Sequence, residues 1–281
     1  MAQYQTEAIV LSVRNWGEAD KMLRLFSRDY GKITAAAFGA RRPKSPLAAG
    51  LQMFQTVELT LTTGERVDTI RGCRLVNRFP HFETDLVAMA YASFIAEVLL
   101  ELMPDGAPQP EIYDWLPSVL AACGQKNPRI VALAAGFQLL DFAGMGLSFD
   151  SCAVSGAPIE GDAYFSADEG GALSLTAAVN IQKKRPYPEG LRTLLSKLST
   201  IDWTNPPAFT AKKSESPMNL GWVVSPTAAT AKEPMRLTIN ESTSPAKATK
   251  NDSTIEGQAM SKTALKFSIV FSFPLFILYI I

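Results

Sequence analysis

The chain has 281 residues, 47% of them apolar, with 27 Lys/Arg against 27 Asp/Glu, three cysteines and one histidine. That length can bury more than one core, so one or two domains are expected. The single His81 leaves little room for His-based catalysis, and Cys73, Cys123 and Cys152 lie too far apart for a disulfide framework or a paired-cysteine zinc site. Neutral overall, the chain is nonetheless segregated by charge: residues 1–80 hold 12 Lys/Arg against 7 Asp/Glu, and residues 81–200 hold 7 against 14. A basic first region joined to an acidic second one points to an anionic partner held by the N-terminal part.

The first 78 residues alternate with the period of short, half-buried strands. Ile9, Leu11 and Val13 share one face of a first strand, and Leu23 and Leu25 share one face of a second. Ser27-Arg28-Asp29-Tyr30-Gly31 forms a turn, and Lys32 to Phe38 a third strand. Phe54 to Thr62 gives a fourth, with Val57, Leu59 and Leu61 inward and Glu58 and Thr60 outward. A fifth, Asp68 to Val76, follows the turn at Thr63-Gly64-Glu65. Five short strands without an intervening helix suit a small closed barrel of the OB type.

Between the third and fourth strands stands Gly39-Ala40-Arg41-Arg42-Pro43-Lys44-Ser45. Pro43 stiffens this turn, so its three cations cannot fold back on one another. It offers no nucleophile, metal ligand or nucleotide-binding glycine array, and its chemistry is phosphate neutralisation. A solvated loop is the ordinary reading of an isolated cluster of this kind; the charge segregation favours the other. Arg14, Lys21, Lys32, Arg71 and Arg74 on the same barrel extend the cationic face. Tyr4, Trp16, Tyr30 and Phe38 are candidates for base stacking and equally for core packing, with Trp16, between Asn15 and Gly17, the best exposed.

At residue 80 the period changes from two to 3.6. His81, between Pro80 and Phe82 at the junction, reads as a hinge or packing residue. Thr84 or Asp85 caps a helix to about Met103, in which Leu86, Met89, Phe94, Ile95, Val98, Leu99 and Leu102 leave apolar residues on most sides. A second helix spans about Glu111 to Ala122. A third opens with Asn127 as cap and Pro128 in the first turn and ends near Gly144. Leu191, Leu194, Leu195 and Leu198 mark a fourth, amphipathic helix. Asp, Glu and Ser are plentiful, but no pair is spaced for acid–base work, and no Gly-x-Ser-x-Gly or Gly-rich phosphate loop occurs. The chain reads as a non-enzyme without a cofactor.

Thr6-Glu7-Ala8-Ile9-Val10-Leu11, Gly17-Glu18-Ala19-Asp20-Lys21, Tyr30-Gly31-Lys32, and Gly39 to Ser45 with Leu47, Gly50, Leu51, Gln52 and Phe54 resemble, in order and spacing, the N-terminal pattern of the RecO family of DNA repair and recombination mediators. The similarity continues more loosely through Gly144-Met145-Gly146-Leu147 and Cys152-Ala153-Val154-Ser155-Gly156 to about residue 200. The resemblance implies an α+β chain: an OB-fold DNA-binding domain over residues 1–79, then a mostly helical domain over 80–203. It implies binding of single- and double-stranded DNA, strand annealing, and partnership with RecR and the single-stranded DNA-binding protein; the scattered cysteines and the absence of a signal-peptide pattern separately suggest a reducing, cytoplasmic location. Many members carry two Cys-x-x-Cys pairs that hold zinc. Here Ser155 stands where the second thiolate would be, and Gly170-Gly171-Ala172-Leu173-Ser174 has no cysteine. The chain is similar to the zinc-less branch, with residues of about 150–175 as a degenerate finger, Asp162 to Ser174 as a loop or small hairpin, and Cys152 as a small buried apolar residue.

An alternative of another class is an interaction module, in which the acidic helical domain docks proteins and DNA contact is incidental. From about Thr204 the sequence turns Pro-, Ser-, Thr- and Lys-rich, which reads as disordered. It ends in the apolar run Phe267 to Ile281, short for a membrane span and broken by Pro274. A packed element, a shifted-frame or fused extension and a tail anchor remain open for this part, with a membrane role disfavoured.

Overall fold

The computed structural model describes residues 2–47, 50–204 and 206, together with the two-residue parallel strands Ala211–Lys212 and Arg236–Leu237. The sequence-predicted disordered tail and its apolar end at 267–281 lie outside the described residues. Among the described residues, no helix is long and apolar enough to cross a membrane.

Strands β1 (Gln3–Trp16), β2 (Asp20–Ser27), β3 (Gly31–Ala37), β4 (Thr56–Thr62) and β5 (Asp68–Asn77) close into a barrel in the order β1-β2-β3-β5-β4. β1 is long because it serves two neighbours. Its first half pairs antiparallel with β4, from Gln3 opposite Thr62 to Ile9 opposite Thr56, and its second half with β2, ending at Trp16 opposite Asp20. A register shift between Val10 and Ser12 bends the strand from one partnership into the other. The parallel pairing of Ala35 with Asp68 and Ala36 with Thr69 joins β3 to β5 and completes the ring. The OB-fold expectation is met.

Leu23, Leu25, Val57, Leu59 and Leu61 fill the interior as their alternation predicts. The first strand departs from its predicted face. Ala8 and Val10 point into the barrel cluster, with Val13 packed against it beyond the shift, while Ile9 and Leu11 are buried outside that cluster. A strand covered on both faces has no polar alternation to reveal which side is in, and a bulge changes the phase.

The outer cover comes from the helices. After a 3-10 turn at Pro80–Glu83, α1 (Leu86–Leu102) packs against β1, and α2 (Pro110–Gln125) and α3 (Pro128–Phe142) pack against α1 and each other. Asp85 caps α1 by accepting from the N–H groups of Val87 and Ala88, and Asn127 caps α3 by accepting from Arg129 N–H. Leu86 does not join the apolar set of α1: it is 82% exposed, and the buried face runs through Ala88, Ala92, Ile95, Ala96, Val98, Leu99 and Leu100. His81 is a packing residue, its ring 4.1 Å from that of Phe82 and its Nε2 3.1 Å from the Leu120 carbonyl.

Barrel and helices α1–α3 belong to one compact unit, residues 1–146 with 199–206. Several contacts fasten them. Tyr113 Oη donates to Glu7 at 2.8 Å, Arg28 pairs with Asp114 at 2.9 Å, and Gly31 lies so close to the α1–α2 connection that a Cβ there would sit 2.1 Å from the Ala107 carbonyl oxygen. Gly31 also has φ of +64°, so only glycine serves at this point. On the far side, Gln138 of α3 holds two indoles: its Oε1 accepts from Trp115 at 2.7 Å and from Trp203 at 2.5 Å, while its Nε2 donates to the Ile201 carbonyl. This clamp stitches residues 201–203 into the helical layer.

Among the described residues, the second unit is built on 147–198. Within it β6 (Ala163–Ser166) pairs with β7 (Gly171–Leu173) and with β8 (Arg185–Tyr187), both antiparallel, so the predicted small hairpin is present and gains a third strand. Ser174 caps the short α4 (Leu175–Ala178), and α5 (Glu189–Ser199) is the amphipathic helix read from its leucines.

Candidate nucleic-acid interface

The segment after β3 is positioned by the β1–β2 hairpin. Asp20 Oδ1 accepts from Gly39 N–H at 2.7 Å, Arg41 N–H donates to the Ala19 carbonyl at 2.8 Å, and the Arg41 guanidinium reaches the Gly17 carbonyl at 3.3 Å. Gly39, at φ +68°, turns the chain sharply enough that the Arg42 side chain lies over it, with Cδ and Nε 3.5 Å from where a Cβ would stand. The cationic loop is therefore laid against a hairpin turn instead of standing free.

These contacts bring together residues distant in sequence. Arg14 stands opposite Met22, and Lys21 is paired with Asn15 on one side and Ala37 on the other. Trp16 ends β1 and Phe38 leaves β3, and their rings meet at 5.9 Å between centroids, tilted by 49°. Both are large and open, Trp16 48% and Phe38 53% exposed. Arg14, Arg41, Arg42 and Lys44 are exposed as well. Lys21 is half-buried with its ammonium on the Leu51 carbonyl at 3.0 Å; burial lowers its pKa, and the neighbouring Arg41 guanidinium lowers it further. Among the described residues none of these five cations is paired with a carboxylate. A cluster in which cations outnumber the nearby carboxylates and none is ion-paired is suited to an incoming anion.

The other cations named from the sequence are placed differently. The Lys32 side chain is only 10% exposed, bound to the Leu100 carbonyl at 2.7 Å and to Asp105 at 2.8 Å, so it serves the barrel–helix junction. Arg74 is paired with Glu58 across the β4–β5 ladder, with Nε at 2.6 Å, and Arg71 Nε donates to the Thr62 hydroxyl at 3.2 Å. Both are on the outer surface of β5 and open to solvent. Of the remaining aromatics, Tyr4 is hydrogen-bonded to Asp68 and its ring meets that of Tyr30 at 4.6 Å. Sequence reasoning did not find the anchoring role of Asp20. A lone aspartate at a hairpin end gives no signal that its carboxylate holds a backbone N–H nineteen residues further on.

The zinc found in many members of the resembled family does not fit these residues. Cys152 is the one thiol of its loop, and the described residues contain no group of three or more His, Cys, Asp or Glu able to hold a metal. Cys152 is buried, as expected, but it is not merely apolar. Burial raises its thiol, and hydrogen bonds from the Ser155 hydroxyl and the N–H groups of Ser174, Ser155 and Val154 more than offset this, bringing it down to about 6. Polar contacts shape this loop: the Ser148 hydroxyl bonds the Ser151 carbonyl at 2.7 Å, and Cys152 N–H donates to the Ala157 carbonyl at 2.8 Å.

A closed five-stranded barrel with an exposed cationic and aromatic rim defines an oligonucleotide-binding-type barrel fused to a helical layer. Residues 1–79 match the family model described as Recombination protein O N terminal, and residues 83–216 the one described as Recombination protein O C terminal. The chain belongs to the RecO family. A protein named DNA repair protein RecO from Desulforudis audaxviator is 32% identical over 203 residues, covering 72% of this chain and 81% of that protein. Its namesake from Desulfitobacterium hafniense is 37% identical over 175 residues, 62% of this chain and 64% of its own, and that from Bacillus cereus is 30% identical over 192 residues, 68% and 77%. The match thus spans a little under two thirds of the length of the Desulfitobacterium relative.

Proposed function

We propose that this chain is a DNA-binding mediator of repair and recombination that works without catalysis. The carrying observation is the rim of the barrel, where the β1–β2 hairpin carrying Arg14 and Lys21 meets the loop carrying Arg41, Arg42 and Lys44 beside two open aromatic rings, and none of these five cations is ion-paired among the described residues. Phosphates supply a counter-charge, and release of their condensed counterions drives the binding. Arg71 and Arg74 extend the contact along β5 when a longer strand lies across the barrel; Arg74 exchanges its exposed pairing with Glu58 at small cost, since such surface pairs contribute little. Lys32 takes no part in this surface.

In this reading strand annealing follows from the same surface. Neutralising two strands at once removes the repulsion that keeps them apart, and flexible cation side chains hold phosphate without fixing base register. The family membership and the relatives' name support a role in DNA repair. RecR and the single-stranded DNA-binding protein as partners, recombinase loading at single-strand gaps, and a cytoplasmic location are the finer parts of the same proposal. The test is annealing of complementary oligonucleotides by the full chain. A rate well above the spontaneous one, falling as salt rises, is expected. Tight DNA binding with no acceleration would remove the mediator role and leave a binding module.

A further inference from the structure

The Trp16–Phe38 pair calls for an explanation that phosphate binding does not give. Large rings seldom stand half-open side by side on a surface when they could be covered, because each exposes apolar area that burial would take from water. Here neither ring is drawn into the barrel cluster, and the two lie 5.9 Å apart on the rim that carries Arg14, Arg41 and Arg42. The occupant must satisfy both features, offering negative charge and flat apolar faces at the spacing of neighbouring residues. A duplex shows phosphate but keeps its base faces stacked inside. An unpaired strand shows both, and every base has a face that an aromatic ring can stack on whatever its sequence.

We propose that Trp16 and Phe38 form a stacking platform for unpaired bases, so that this end of the barrel distinguishes single strands from duplex. The proposal rests on the DNA-binding reading above and adds Phe38 as a specificity-determining residue. The division of labour is geometric. Gly39 follows Phe38 directly, and its sharp turn sends Arg41 and Arg42 back over the hairpin. The loop therefore places guanidinium groups beside the rings, where they bind the phosphates flanking a stacked base. Glu18 and Asp20 lie in the same hairpin turn, Asp20 accepting from Gly39 N–H, but neither is ion-paired with these cations, whose guanidinium and ammonium groups are left for an incoming strand.

The experiment compares equilibrium binding of the full chain to a single-stranded oligothymidine and to an abasic oligonucleotide of the same length and charge. The abasic strand keeps the phosphates and lacks the faces. Oligothymidine is expected to bind more tightly by roughly five- to 150-fold and to quench tryptophan fluorescence. Phe38→Leu and Trp16→Leu, which keep apolar volume at exposed positions, should each shrink that ratio towards one while leaving the salt slope unchanged. Equal binding of the two strands by the unaltered chain would overturn the stacking proposal while leaving phosphate binding intact. Failure of both strands to bind would overturn the DNA-binding reading as well. A ratio that survives both leucine variants would place the stacking surface elsewhere and equally overturn the proposal.

Discussion

Replacing Arg41, Arg42 and Lys44 together with alanine should weaken binding of single-stranded DNA about tenfold to a hundredfold at moderate salt and flatten its salt dependence. On a single strand, each phosphate that the variant no longer neutralises lowers the slope of log K against log salt by about 0.7, so the triple variant is expected to drop it by about 2. On duplex the decrease is about 0.9 for each such phosphate. The fold should survive, because these side chains stand outside the barrel cluster, and the loop is held by backbone groups that alanine retains: Gly39 N–H on Asp20 and Arg41 N–H on Ala19. The variant is thus a clean separation of binding from stability. An unchanged melting temperature with unchanged affinity and slope would mean that the loop is a solvated turn and that phosphates are held by another surface.

The second large effect concerns where the chain can be shortened. Ending it after residue 206 should preserve both the fold of the first unit and DNA binding, and it should raise solubility if the apolar run at 267–281 finds no partner surface. Ending it after Thr200 should instead be severely destabilising. Ile201 and Trp203 are buried, Trp203 being only 5% exposed, and burial of two such side chains contributes about 3–6 kcal/mol. The Gln138 amide would also be deprived of two of its three partners. Against a total stability of about 5–15 kcal/mol, such a change removes most of the margin. Paired thermal or urea unfolding of the two truncations checks this. If they melted alike, the double-indole clamp would contribute no stability. If both unfolded, residues beyond 206 would be part of the core.

Much of this architecture could be read in the residues. The alternation of Leu23 with Leu25 and of Val57, Leu59 and Leu61 marks strands with one apolar face, and the barrel interior is made of those faces. Asp85 and Asn127 announced their helices because a short acceptor side chain before an apolar run has few other uses. What stayed hidden has a common physical cause, the meeting of segments far apart in the chain. Ile9 and Leu11 are buried outside the barrel cluster, on a strand that α1 covers, so hydrophobicity could not give their side. Lys32 looks like any strand cation until Asp105 and the Leu100 carbonyl are brought to it. The rim was half legible: the Arg41, Arg42 and Lys44 loop and exposed Trp16 were evident as separate features, but their convergence depends on Asp20 and on the turn at Gly39. Gln138 carried no signal at all, since a glutamine in an apolar helix acquires its role only when two tryptophans arrive from other segments.

If DNA lies on the barrel rim made by the β1–β2 turn and the loop after β3, a bound strand should leave its footprint there. Amide hydrogen exchange of the full chain, measured with and without single-stranded DNA, reads that footprint residue by residue. Slowed exchange is expected at residues 15–21 and 38–45, extending along β5 on longer strands, with α2 and α3 unchanged. Protection confined to the helices or to residues 147–198, with the rim exchanging as before, would rule out the rim as the DNA-binding surface.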